Sequence, residues 1–372
     1  MATALNISQI QTAKALIEKD LLVIASSITN AQFEELGINI ITGIEHEQKR
    51  YLNVGNNSIA RAYFPGSIRK ATVGTIIERS LVVKRMVART SDNISQYAET
   101  EPVSVIGISS NGVLTAPITQ QNMELMAAGI QEQVFYNFFH GVRPANATEA
   151  ASAGPLSLYD GIFKHVQAQI SDGSISVANK NLIEMSAVDL TTNTDAAKIA
   201  AYEAFDAAFL SLDPKLQKAK QLYVAMSPEF ADYVVQGAAL KFHGSGQIVI
   251  MQANEGQEMP IFGRKNISLK PTDNIGTGQT MIFYTPGVMD FGSDLTVGGE
   301  VKDANITCTL NGDDTNIVDY QFNLSAGTRL FNFLSSNFAI ALLATTTGEG
   351  AQATTSYTFN NPPVLEREGI IA

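Results

Sequence analysis

The segment that decides the fold is TQQNMELMAAGIQEQVFYNFFHGV, residues 119–142. Its apolar residues recur every three to four positions, as they do on one face of a helix: Leu125, Met126, Ile130, Val134, Phe135, Phe138 and Phe139. The opposite side carries Gln121, Glu124, Gln131, Glu132 and Asn137. This pattern predicts one amphipathic helix of about 20 residues, roughly 30 Å long, with its apolar face packed on a sheet or a second helix.

Both ends of this helix carry recognisable signals. Thr119 is a candidate N-cap, because its hydroxyl can accept a hydrogen bond from a free backbone N–H of the first turn. Gly141 is a candidate positive-φ residue that ends the helix, and Pro144 follows it. His140 falls in the last turn, where a cation interacts favourably with the helix dipole, so we expect a capping role for it.

The composition is that of a globular protein with little charge. Of the 372 residues 45% are hydrophobic, but only 16% are charged, against about a quarter in average proteins. Polar surfaces with few ions suit burial against other subunits, because amides and hydroxyls are less costly to desolvate than charges. An ordinary protein from a habitat that tolerates low charge is the alternative, and the composition leaves both open.

The charge is also unevenly distributed. Residues 1–90 hold 11 basic and 7 acidic residues, whereas residues 91–372 hold 14 and 29. A basic first quarter and an acidic remainder can complement each other between copies of the chain. Nucleic acid is the competing partner for the basic part, which lacks the strong basic excess of a dedicated nucleic-acid-binding protein.

Residues 61–89 carry most of this positive charge in a β-like pattern. Seven basic residues stand against Glu78 alone: Arg61, Arg69, Lys70, Arg79, Lys84, Arg85 and Arg89. A strand pair with charge on both faces cannot bury itself within its own domain, so we predict an extended hairpin that reaches outward to a partner. A solvated, twisted hairpin is the alternative. The preceding run EHEQKR, residues 45–50, is interpreted as a solvated turn.

The rest of the chain alternates between helical and β-like segments. Helices are predicted at residues 7–25, 159–173 and 194–212, and Ser227 followed by Pro228 marks the start of another. Strands are predicted around residues 221–227, 248–253, 259–271 and 280–287, so that residues 160–290 form an α/β subdomain. Residues 296–345 look antiparallel, and residues 346–372 form a Gly/Thr/Asn-rich tail.

Patterns that would indicate catalysis or metal binding are weak. The single cysteine, Cys308, excludes an intrachain disulfide and a cysteine-based zinc site, and we expect it to be a small core residue. The histidines lack metal-binding spacing: His46, His140, His165 and His243. Asn311-Gly312-Asp313-Asp314 is interpreted as a hairpin turn, since the distal glutamate of a calcium loop is missing. We therefore expect no catalytic residue, cofactor or metal and no membrane span; an α/β enzyme with an unrecognised site remains the least favoured hypothesis.

This order of segments resembles the major capsid proteins of tailed bacteriophages, which have the Hong Kong 97-like fold. The segments that carry the resemblance are the helix at residues 121–141, YDGIFKHV at 159–166, the helix at 194–212 and LYVAMSPEFADYVV at 222–235. The resemblance implies an α+β fold with five parts: an N-terminal arm (1–60), an extended E-loop hairpin and strands (61–118), a P domain with the long spine helix (119–158), an A domain (159–290), and returning P-domain strands with a C-terminal tail (291–372).

The resemblance also implies a function without catalysis. Copies of the chain would form hexamers and pentamers that close into an icosahedral shell around double-stranded DNA, without sequence-specific contacts to it. Portal, scaffolding or decoration proteins would be further partners, and the virion would assemble in the host cytoplasm. Subunit contacts are expected from the seven basic residues above and from Gln131, Glu132 and Asn137. An encapsulin-like compartment of the same fold, holding a cargo enzyme, is the alternative.

Overall fold

The computed structural model describes residues 32–44, 46–55, 74–93, 117–146, 148–149, 154–242, 260–261, 264–294, 306–310, 317–347 and 354–363. Within these ranges the chain has a mixed α+β fold. It contains a five-stranded sheet, a seven-stranded sheet and a two-stranded hairpin. The predicted helix at residues 7–25 and strand at 248–253 lie outside the described residues.

The helices are α1 Pro117–His140, α2 Ile162–Ser171, α3 Asp195–Ser211, α4 Pro214–Gln217 and α5 Pro228–Phe242. The first strands are β1 Asn39–Ile41, β2 Glu47–Gly55, β3 Gly74–Val82, β4 Lys84–Asn93 and β5 Leu182–Met185. The next are β6 Leu222–Met226, β7 Pro260–Ile261, β8 Arg264–Pro271, β9 Met281–Tyr284 and β10 Met289–Ser293. The last are β11 Ile306–Leu310, β12 Ile317–Leu330, β13 Phe338–Thr347 and β14 Thr354–Thr358.

Helix α1 is the long helix that the sequence predicts. Ile130, Val134, Phe138 and Phe139 are buried, and Met126 packs partly buried against the same core. The predicted apolar face is therefore confirmed along the described side chains. The helix begins at Pro117, three residues before the start that an N-cap at Thr119 predicts, so Thr119 is not its N-cap. A proline fits the first helical position because the N–H that it lacks would have no partner there.

At the C-terminal end of α1, Gly141 and His140 have roles other than those predicted. Gly141 is not among the positive-φ glycines; it is needed because a Cβ there would lie 2.2 Å from the carbonyl oxygen of Tyr159. His140 does not act as a cationic cap. Its Nε2 donates to the carbonyl oxygen of Ile275 at 3.0 Å, and burial lowers its pKa, so the neutral imidazole is favoured.

The central strands of the seven-stranded sheet are buried on both faces. Its order is β14-β13-β9-β6-β8-β7, with β5 beside β13. In the central strand β6, Leu222, Val224 and Met226 join the core under α3 and α5. Tyr223 and Ala225 point the other way, into the core that contains α1 and α2. The sheet thus lies between two helical layers, as continuous apolar strands require.

Two helix starts in this region are confirmed at the level of single hydrogen bonds. Ser227 Oγ accepts from the backbone N–H of Phe230 at 3.2 Å at the start of α5. Thr194 Oγ1 accepts from the N–H of Ala197 at 3.3 Å at the start of α3. Both side chains provide partners for N–H groups that the first turn of a helix leaves free.

The five-stranded sheet has the order β1-β10-β12-β11, and β4 also pairs with β12. The antiparallel pattern predicted for residues 296–345 is found in most pairings of its strands. β11 and β12 pair antiparallel in this sheet, whereas β13 runs in the seven-stranded sheet, antiparallel to β9 and β14 and parallel to β5. The pairing of β11 with β12, from Ile306↔Phe322 to Leu310↔Val318, is that of a hairpin; its connecting residues lie outside the described ranges, as does the side chain of Cys308.

Candidate assembly surfaces

The two-stranded hairpin consists of β2 and β3, which pair antiparallel from Glu47↔Val82 to Gly55↔Gly74. Its strands differ from those predicted, because the first strand contains most of the run EHEQKR, which was interpreted as a turn. A run of charged residues can pair as a strand when one of its faces is solvated, and this one is. The chain after Val83 leaves the hairpin, and β4 pairs with β12 over ten residues. Residues 84–89 therefore belong to a sheet and not to the hairpin.

The outer face of the hairpin is exposed and partly apolar. Tyr51 is 58% exposed, Ile76 69% and Val82 40%. Tyr51 lies opposite Glu78, and Ile76 lies opposite Asn53, so Tyr51 and Ile76 are diagonal neighbours on one face. The nearby pair of Lys49 Nζ and Glu78 Oε1, 2.5 Å apart, is also exposed. In the described part of the chain, nothing covers this face.

The inner face is fixed to the body by one buried carboxylate. Asp290 of β10 is fully buried, and Arg329 of β12 is 4% exposed. Arg329 donates to Asp290 Oδ2 through Nε at 2.9 Å and also through Nη2. Arg50 of β2 and Asn39 of β1 donate to Oδ1 at 2.8 and 3.0 Å. We call this group of Asn39, Arg50, Asp290 and Arg329 the root network.

Arg329 also binds the backbone of both hairpin strands. Its Nη1 donates to the carbonyl oxygens of Gln48 at 3.1 Å and Arg79 at 2.9 Å. The guanidinium of Arg50 lies over the ring of Phe331, 4.0 Å from its centroid, and that of Arg79 lies 4.3 Å over Phe333. Charge-assisted hydrogen bonds and cation–π contacts therefore hold the hairpin in one orientation.

The sequence-predicted contact residues lie in different places. Lys84, Arg85 and Arg89 are exposed on β4, whereas Arg79 is half-buried at the hairpin. Glu132 is exposed on α1 and Gln131 is half-buried. Arg61, Arg69 and Lys70 lie outside the described residues.

Asn137 is not on a surface, which corrects the expectation that it contacts a neighbour. Its side chain is fully buried. Nδ2 donates to the carbonyl oxygens of Gln133 at 2.8 Å and Pro155 at 3.0 Å, and Oδ1 accepts from the N–H of Leu158 at 3.0 Å. The chain that follows α1 returns across the end of the helix, and this carboxamide supplies partners that its backbone would otherwise lack.

Replacing Asn137 by alanine should therefore lower the free energy of unfolding by about 1–3 kcal/mol, because Pro155 and Leu158 lose a buried hydrogen-bond partner. Glu132→Ala, an exposed change on the same helix, should stay within about 0.5 kcal/mol. Urea unfolding followed by circular dichroism measures both. Equal, small effects would show that water replaces the carboxamide without cost.

The root network, whose Asp290 and Arg329 are buried, is not predicted from the sequence. A signal was present: Asp290 and Arg329 each interrupt an apolar strand, in VMDFG and TRLF. Charged residues are almost never fully buried unless they are paired. This rule predicts that each has a partner, but it does not say which.

The described residues contain neither a metal-binding group nor a membrane-spanning helix. Among them there is no group of three or more His, Cys, Asp and Glu that could hold a metal ion. No helix in the described ranges is long and apolar enough to cross a membrane. His165 Nε2 donates to the carbonyl oxygen of Thr328 at 3.1 Å, and burial lowers its pKa.

No protein-family model and no curated protein matches this chain. Solved structures do match, and those described below do so at low identity. The procapsid of satellite phage P4, which includes the size determination protein Sid, is 11% identical with a TM-score of 0.49, over 85% of this chain and 89% of that one. The cyanophage A-1(L) capsid is 13% identical with a TM-score of 0.47, over 83% and 91%.

An encapsulin also matches this chain. The holo-SrpI encapsulin complex from Synechococcus elongatus is 9% identical with a TM-score of 0.44, over 83% of this chain and 86% of that one. At identities of 7–13% and TM-scores below 0.5 these likenesses assign no role to any residue. The chain is similar in structure to phage capsid proteins, the class that its sequence resembles, and to an encapsulin.

Proposed function

We propose that this chain is the subunit of a closed protein shell, a major capsid protein whose copies form hexamers and pentamers around packaged double-stranded DNA. The observation that carries the proposal is the β2–β3 hairpin: its inner face is fixed by the root network, while its outer face exposes Tyr51 and Ile76. The hairpin is held in position by its own chain, but its outer apolar surface is left for another molecule.

A physical argument favours another copy of the chain as the partner. An isolated two-stranded hairpin is marginally stable in water, and unpaired strand edges promote association. Burying an exposed isoleucine or valine side chain contributes about 1.5–3 kcal/mol. Closed shells repeat each contact in every subunit, so a modest gain per copy is multiplied over the whole assembly.

The charge distribution supports contacts between unlike parts of neighbouring copies. Lys84, Arg85 and Arg89 are exposed on β4, and the chain carries a formal net charge of −11. Basic strands of one copy can lie against the acidic body of the next. In this proposal the hairpin is the E-loop, α1 is the spine helix of the P domain, and the seven-stranded sheet with α3 and α5 forms the core of the A domain.

The acidic charge also bears on the contents of the shell. A net charge of −11 repels DNA, so packaged DNA would be enclosed without sequence-specific contacts. The same charge favours one alternative, an encapsulin-like compartment around a cargo enzyme. A virion would further require portal, scaffolding or decoration proteins, and it would assemble in the host cytoplasm.

Sedimentation velocity and negative-stain electron microscopy of the expressed protein test the proposal. We expect capsomer-sized assemblies or closed particles. A monomer that persists at high concentration, and gives no particles when it is co-expressed with the products of neighbouring genes, would refute a shell function. Particles that contain nuclease-protected DNA support the capsid, and particles that contain one copurifying enzyme support the compartment.

A further inference from the structure

A cavity of about 220 Å³ lies beside the hairpin root. Its walls include Glu78 and Arg79 of β3, His165 and Gln169 of α2, and Arg329 of β12. The hairpin strand β3 thus meets two elements of the body, α2 and β12, around one space. The proposed shell function does not require this space.

The charges around the cavity are paired, except for one. Arg329 is neutralised by Asp290, and Glu78 pairs with Lys49. Arg79 has no carboxylate of the described residues within ion-pair distance. His165 is favoured in its neutral form, because burial lowers its pKa. The walls therefore carry one positive charge without an ion-pair partner, although the exposed carboxylate of Asp172 acts on it electrostatically.

The guanidinium of Arg79 is also short of hydrogen bonds. Its Nε atom is buried and has no partner among the described residues, and one face of the group lies on the ring of Phe333. Burial lowers the pKa of Arg79, and the charge of Asp172, an exposed residue, acts against this. The buried Nε is out of reach of a ligand, but Arg79 itself lines the cavity and is only half-buried, so its charge and its other donors can meet an anion there.

We propose that this cavity binds an anionic oxygen group, a carboxylate or a phosphate, which pairs with Arg79. Arginine is suited to both, because its planar guanidinium presents several donors at once. The ligand has two possible sources. A second copy of this chain can insert an acidic side chain, or a free anion can bind from solution.

The thermal unfolding midpoint in acetate or phosphate, compared with chloride at equal ionic strength, tests the site on the unassembled chain. We expect both anions to raise the midpoint of the wild type in a saturable manner, because a ligand of the folded state stabilises it. Arg79→Gln should lose this shift. Lys164→Gln, which removes an exposed charge of α2 that does not line the cavity, should keep it. Each shift is taken within one variant, so a lower baseline stability of Arg79→Gln does not affect the result.

A wild type without any anion-dependent shift, or an Arg79→Gln variant that keeps it, would overturn the proposal. Sedimentation velocity then distinguishes the two sources. If phosphate reduces self-association of the wild type but not of Arg79→Gln, the natural ligand is a carboxylate of a neighbouring copy. If phosphate binds and self-association is unchanged, the ligand is a free anion. Failure of the chain to form particles would leave the anion measurement intact, so the two proposals fail separately.

Discussion

Replacing Asp290 by alanine should lower the free energy of unfolding by about 3–5 kcal/mol, the usual cost of removing one partner from a buried ion pair. Asp290 is fully buried, and it is the acceptor for Arg329, Arg50 and Asn39. Without it, the Arg329 guanidinium stays buried with no counter-charge. Urea unfolding of the unassembled chain, followed by circular dichroism, measures the loss.

The matched control is an exposed ion pair on the hairpin that the root network holds. Glu78→Ala removes the partner of Lys49, and both side chains are about half exposed, at 46% and 52%. Solvent screens such pairs, so we expect little change. If Asp290→Ala is no more destabilising than Glu78→Ala, then water already compensates Arg329 and the root network does not fix the hairpin.

The root network also shows where sequence reasoning stops. Asp290 is separated along the chain from Asn39 by 251 residues, from Arg50 by 240 and from Arg329 by 39. Periodicity and capping rules operate within one helix or strand, and they carry no information on which distant element lies alongside. The sequence shows that Asp290 needs a partner, but only the assembled sheet β1-β10-β12 brings one to it.

Some features with local causes were predicted correctly. The apolar face of α1, the helix that starts after Thr194 and the cap at Ser227 depend on residues at most four positions apart. The predictions for the two ends of α1, at Thr119, Gly141 and His140, are wrong. The hairpin was predicted to be outward and basic, but its first strand was misplaced, because charged residues at 47–50 pair as a strand. Solvated two-stranded hairpins tolerate charge on their open face, so hydropathy alone does not distinguish them from turns.

Asn137 illustrates a different limit. The prediction put it with the polar residues of α1 because of its carboxamide, but its spacing of three residues from Val134 and seven from Ile130 lies on the apolar face. The structure buries it, because residues 155–158 cross the end of the helix and need its carboxamide. Polarity in a sequence indicates a need for hydrogen bonds, which either water or a neighbouring loop can satisfy.

Ile76→Asp should abolish particle formation while the subunit stays folded. Ile76 is 69% exposed on the outer face of the hairpin, beside Tyr51, so the substitution leaves no cavity in the core. In an interface, a buried carboxylate without a partner costs several kcal/mol, and each 1.4 kcal/mol weakens association about tenfold. Sedimentation velocity and electron microscopy measure assembly, and urea unfolding checks that the subunit is intact.

Two further variants make this result specific to the hairpin. Ile76→Thr keeps a β-branched residue and therefore the strand preference, so its weaker assembly would reflect lost apolar contact and not a damaged strand. Val177→Asp introduces the same charge at an apolar residue of the body that is 49% exposed, in a turn that suits aspartate. We expect particles from Val177→Asp, fewer from Ile76→Thr and none from Ile76→Asp. If Ile76→Asp assembles as well as Val177→Asp, the outer face of the hairpin is not buried between subunits. The exposed face would then no longer support the proposed shell function.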